Sequence, residues 1–84
     1  MSYNMHVLSY DGFYIGDKVR ITREDLEDAG WQENAKEAMD STVGKIGTIL
    51  EFIYFEDIGV ACRVDVEGGP WIYALYILEK INEK

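Results

Sequence analysis

Apolar and polar residues alternate with a period of two along most of this chain. Lys18-Val19-Arg20-Ile21-Thr22 puts Val19 and Ile21 on one side and Lys18 and Arg20 on the other, the pattern of a half-buried strand. Val60, Cys62, Val64 and Val66 alternate in the same way with Ala61, Arg63, Asp65 and Glu67. Between these runs, Val43-Gly44-Lys45-Ile46-Gly47-Thr48-Ile49 begins a long β region that continues through Leu50 to Phe55. Ile46 and Ile49 have opposite parity, so both face inward only if this strand bulges, and Gly47 is the residue expected to permit it.

Turn signals separate the strands. Asp11-Gly12 lies between Val7-Leu8-Ser9-Tyr10 and Phe13-Tyr14-Ile15. It predicts a tight hairpin, because both central residues of a type I′ turn need positive φ. Residues 1–6 carry no pattern and read as a loose start, which makes 1–12 an N-terminal extension. Glu56-Asp57-Ile58-Gly59 and Gly68-Gly69-Pro70 predict turns, and Trp71-Ile72-Tyr73 predicts another strand. A one-turn helix near Ala74–Ile77 then leads into a short last strand at Leu78–Ile81.

The period changes only in the middle of the chain. Thr22 followed three residues later by Asp25 is a capping-box-like helix start, and Gly30 is a terminator. Trp31, Ala35, Ala38 and Met39 then fall at i, i+4, i+7 and i+8, one apolar stripe of a helix. A helical segment is therefore expected over residues 23–41. There are no repeats or linkers, so residues 1–84 are expected to form a single, mainly β domain with a helical insertion.

Gly16-Asp17-Lys18-Val19-Arg20-Ile21 resembles the opening strand of SH3-like barrels. Val43-Gly44-Lys45-Ile46-Gly47-Thr48-Ile49 resembles a strand of KOW-type and mind-bomb-type barrels, and Trp71-Ile72-Tyr73 with Leu78 resembles their closing strand. The whole order, over about residues 13–81, is also similar to small uncharacterised proteins common in bacteriophage genomes. The resemblance implies an SH3-like antiparallel barrel of about five strands, with the helical segment between the first and second barrel strands. It also implies a phage accessory protein acting on a host or phage protein. KOW-type domains that hold RNA carry basic loops, and this chain does not.

Charge sharpens that contrast. The 84 residues hold 16 acids against 8 bases, a net charge of −8. Residues 1–23 are slightly basic, whereas 24–40 hold seven acids and only Lys36. Neutralising phosphates takes Lys and Arg, so direct nucleic-acid binding is not expected. With 48% hydrophobic and 13% aromatic residues, the chain can build a core and is not of disordered composition. It has no apolar run of membrane-spanning length and no secretion signal. The single cysteine, Cys62, forms no internal disulfide and favours a reducing cytoplasm, the host's if the chain is phage-encoded. It is expected to pack as a small apolar residue.

Few residues suggest chemistry. His6 is the only histidine, no glycine-rich phosphate cradle occurs, and the acids have neither calcium-loop spacing nor a defined facing pair. No catalytic residue, cofactor or metal is expected, and the chain is not expected to be an enzyme. Two features suggest binding instead. Glu24, Asp25, Glu27, Asp28, Glu33, Glu37 and Asp40 could form one negative face for a basic protein surface. Among the aromatics Tyr14, Trp31, Tyr54, Trp71 and Tyr73, the two tyrosines Tyr14 and Tyr73 are expected beside that face, and the two tryptophans in the core. The leading expectation is a protein-interaction module. The alternatives are an acidic DNA mimic that inhibits a nucleic-acid-binding protein, and a structural homo-oligomer. Ile49-Leu50-Glu51-Phe52-Ile53-Tyr54-Phe55 is apolar on both faces; one is expected in the core, and the other against either the helical insert or another subunit, which makes this the strand on which a homodimer would form.

Overall fold

A computed structural model describes residues 2–22, 41–56 and 59–81. The chain is mainly β. Its strands are β1 (Ser2–Asn4), β2 (Ser9–Tyr10), β3 (Phe13–Tyr14), β4 (Lys18–Ile21), β5 (Ile46–Phe55), β6 (Gly59–Asp65), β7 (Trp71–Ala74) and β8 (Leu78–Lys80). A one-turn 3-10 helix, Leu75–Ile77, joins the last two. Six strands form one antiparallel sheet in the order β7-β6-β5-β4-β8, with β1 paired to the far end of β5. β2 and β3 form a separate hairpin.

Alternation along β4 does what the sequence predicts, and β6 follows it except at Ala61, which is expected outward but is fully buried. Val19 and Ile21 are buried while Lys18 and Arg20 are exposed, and Cys62 and Val64 lie in the core. The core also takes Ile49, Phe52, Val66, Tyr73, Ile77 and Leu78, all contributed to one face of the sheet or its 3-10 corner.

The long strand bulges, but not where its glycine suggests. β5 pairs Ile49 with Val64 and Glu51 with Arg63, so the register shifts at Leu50. That extra residue turns both Ile49 and Phe52 inward. Ile46 stays outside, 49% exposed, and Gly47 takes the inward position instead. Gly47 is there because β6 passes close by. A Cβ built on it would lie 2.6 Å from Val64 Cγ1 and 2.7 Å from the Asp65 carbonyl oxygen.

The hairpin forms as its turn residues dictate. Asp11 and Gly12 both have positive φ, 51° and 86°, and Tyr10 pairs with Phe13. The N-terminal residues are not a loose extension, however. β1 lies in register with β5, Met5 N–H donates to the Phe52 carbonyl (3.0 Å), and Met5 and Phe13 pack on the core. The Tyr10 ring lies 6.3 Å from that of Phe52, so the hairpin closes over one end of the core.

The expected barrel is not closed. Among the described residues β7 pairs only with β6 and β8 only with β4, and no ladder joins β7 to β8. The 3-10 turn carries the chain from β7 across to β4, where Leu78 pairs with Ile21. The helical insertion expected over 23–41 falls almost wholly outside the described residues; Ser41, at its end, is in a turn.

Candidate interaction surfaces

Of the acidic residues singled out from the sequence, Glu24, Asp25, Glu27, Asp28, Glu33, Glu37 and Asp40 all lie outside the described residues, as does Trp31. The points where the acidic segment leaves and rejoins the sheet are described, and both are fixed. At the departing end, Thr22 donates its N–H (2.9 Å) and its hydroxyl (2.6 Å) to the Ile77 carbonyl. At the returning end, Gly44 N–H donates to the Ile21 carbonyl (2.7 Å), and Ile21 N–H donates to that of Lys45 (3.0 Å). Thr42 is fully buried, with its hydroxyl 2.7 Å from the Tyr73 hydroxyl. The segment is thus tied at both ends to neighbouring points of the sheet.

This geometry corrects the reading of Tyr73 as a surface contact. Tyr73 is fully buried, facing inward opposite Cys62 on β6. Burial pushes its hydroxyl pKa up, and the bond to Thr42 partly offsets that. A tyrosine hydroxyl taken into a core needs a polar partner, and Thr42 serves. Sequence reasoning missed Thr42 because a threonine in a polar loop resembles any turn residue. The one available signal was an inward-parity tyrosine that had to find a hydroxyl or carbonyl somewhere.

Tyr14 is at the surface, 54% exposed, but it is held by the hairpin and β8. Its N–H donates to Asp17 Oδ2 (2.9 Å), and Lys80 Nζ sits 5.1 Å from its ring centroid. Lys80 also donates to the Gly12 carbonyl (3.0 Å) and pairs with Asp17 (3.3 Å). Tyr14 and Tyr73 therefore do not form one site. Of the other aromatics, Trp71 is half-buried against the core, and Tyr54 is half-buried with its ring 5.3 Å from that of Tyr3. Exposed apolar groups gather on and beside the hairpin, where Leu8 is 81% exposed and Val7, Tyr10 and Ile15 are partly so.

Charge on the sheet is largely cancelled locally. Arg20 pairs with Glu79 (3.3 Å), Lys45 with Glu67 (2.6 Å), Arg63 with Glu51 and Lys80 with Asp17. Lys18 donates to Thr48 Oγ1 at 3.0 Å. Exposed pairs of this kind contribute little to stability, because water screens them. Their consequence here is electrostatic, since no run of unpaired cations marks the described strands. Lys45 also holds the Glu67 carboxyl below its usual range, through its hydrogen bond and its charge.

The sheet face opposite the core carries a groove of about 290 Å³. Cross-strand neighbours share a face, and the register sets Asn4 beside Ile53, Glu51 beside Arg63, and Arg63 beside Ile72. The Glu51 carboxylate accepts from Asn4 Nδ2 on one oxygen and from Arg63 Nε on the other. Ile53, Phe55 and Ile72 supply apolar walls.

Reactive chemistry is sparse. Burial pushes the Cys62 thiol up to about 12, so the thiolate needed of a nucleophile is suppressed. Among the described residues, no three of His, Cys, Asp and Glu converge where they could hold a metal ion, and no helix is long and apolar enough to cross a membrane. No protein-family model matches the chain, and no curated protein does.

Proposed function

We propose that this chain is a small non-catalytic protein-interaction module of SH3-like architecture, in which the acidic segment 24–40 receives a basic protein surface. The contrast in charge carries this reading. Cations on the described strands are mostly paired with carboxylates, while 24–40 holds seven acids against Lys36 alone. An unbalanced negative segment of that density attracts a basic partner and speeds encounter. The bonds at Thr22 and Thr42, which fix where the segment leaves and rejoins the sheet, support the same reading. The strand order β7-β6-β5-β4-β8, with a 3-10 turn before the last strand, supports the SH3-like assignment. The resemblance of residues 13–81 to small phage proteins suggests the setting, an accessory protein that modulates a host or phage protein.

The test is charge reversal. Replacing Glu24, Asp25, Glu27 and Asp28 with Lys together should abolish capture of the partner and leave the fold's melting transition in place. Undiminished capture by the reversed protein rejects this surface. The same charge density supports a second reading, an acidic mimic of DNA. That reading requires duplex DNA to compete for the same partner.

A further inference from the structure

The groove opposite the core offers a second, different contact. Its polar floor is a fixed guanidinium. Glu51 is held by Asn4 and in turn grips Arg63 through Nε, which leaves Nη1 and Nη2 without a partner among the described residues. A guanidinium held this way presents two parallel N–H donors, the arrangement that matches a carboxylate. Phe55 and Ile72, both half-buried, flank it with apolar surface, and Ile53, which is buried, also lines it. The groove is open and, at about 290 Å³, sits at the small end of ligand pockets. Being open, it can hold one apolar side chain and the carboxylate beside it but does not enclose them. Affinity must then come from a ligand that continues beyond the groove. The strand bordering it, β1, is paired only with β5, so its other edge has no strand against it among the described residues. An extended chain can lie along such an edge.

We propose that this groove binds the free C-terminus of an extended protein segment, with Arg63 reading the terminal carboxylate and Ile53, Phe55 and Ile72 receiving an apolar last side chain. The inference rests on the protein-interaction reading but uses a different face from the acidic segment.

The experiment is an NMR titration of the full chain with the probe peptide acetyl-Lys-Ser-Val-Phe bearing a free carboxylate. The comparison probes are its C-terminal amide and 3-phenylpropionate. The free peptide should shift the Arg63 Nε–H resonance and the Ile53 and Ile72 methyls. Amidation should weaken binding about tenfold or more, the loss of a charge-assisted pair. Arg63→Gln should do the same to the free peptide. Because the amide comparison uses the unaltered protein, it decides the matter even if that variant folds poorly. Equal binding of acid and amide, or shifts confined to other residues, overturns the proposal. So does 3-phenylpropionate binding as tightly as the peptide, which would make the ligand a small acid. The four-lysine reversal of the acidic segment should leave this titration unchanged, so the two surfaces fail or stand separately.

Discussion

Gly47→Ala asks whether the inward glycine of β5 is there for space. Gly47 needs no unusual backbone angle, since its φ is not among the positive ones. An added methyl would meet Val64 Cγ1 at 2.6 Å, the Asp65 carbonyl oxygen at 2.7 Å and Val66 Cβ at 3.0 Å. Relaxed carbon contacts lie near 3.5–4.0 Å, so β5 and the chain at Val64–Val66 would have to separate by about 1 Å at Gly47. Overpacking of this size costs about 1–3 kcal/mol, against about 0.5–1 kcal/mol recovered from replacing glycine in an extended strand. A net loss of about 1–2 kcal/mol is expected. Urea denaturation followed by tryptophan fluorescence would measure it as a lower midpoint at unchanged slope. Val64→Ala should relieve only part of the clash, because the Asp65 carbonyl belongs to the backbone, so the double variant should remain less stable than Val64→Ala alone. A neutral or stabilising Gly47→Ala would refute the close-approach account and return Gly47 to a role in bending the strand.

Two further outcomes follow from the core. Cys62 is buried and its thiol is pushed from 9.0 to about 12, so the unfolded chain ionises first. Its stability contribution is intact below pH 9 and declines between pH 9 and about 12, by about 1.4 kcal/mol per pH unit. Cys62→Ala should flatten the pH dependence of the melting temperature over the first part of that range, and an unchanged slope would reject the assignment. Tyr73→Phe removes the bond to Thr42 and should cost about 0.5–1.5 kcal/mol by chemical denaturation, with Thr42→Val less than additive to it. Full additivity would mean that the two hydroxyls act independently.

Local signals were legible in the sequence, and long-range ones were not. Alternation around Val19 and Cys62 identified two strands and their inward faces. Asp11-Gly12 identified the hairpin, and the short apolar stretch near Ala74–Ile77 identified the 3-10 corner. In each case the residues that decide the conformation are the residues that adopt it. The bulge at Leu50 was misplaced because it depends on how β6 packs over β5, and Gly47 responds to that packing without causing the bend. β1 was missed because Ser2-Tyr3-Asn4 has no pattern of its own; it becomes a strand by pairing with residues fifty positions away. Tyr73 was misassigned because its parity and hydroxyl pointed in opposite directions, and only the fold brings Thr42 to it. The groove at Arg63 was invisible for the same reason: Asn4, Glu51 and Arg63 meet only through the register of three strands.

The central claim is that charge on 24–40, and not the paired surface of the strands, captures the partner. Titrating the captured partner by calorimetry at about 50 and about 300 mM salt tests it most directly, because screening acts on unpaired exposed charge. The expected result is affinity that falls steeply across that range, and a salt dependence that disappears in the four-lysine variant together with binding. Affinity that is the same at both salt concentrations, or retained by the variant, would contradict the account.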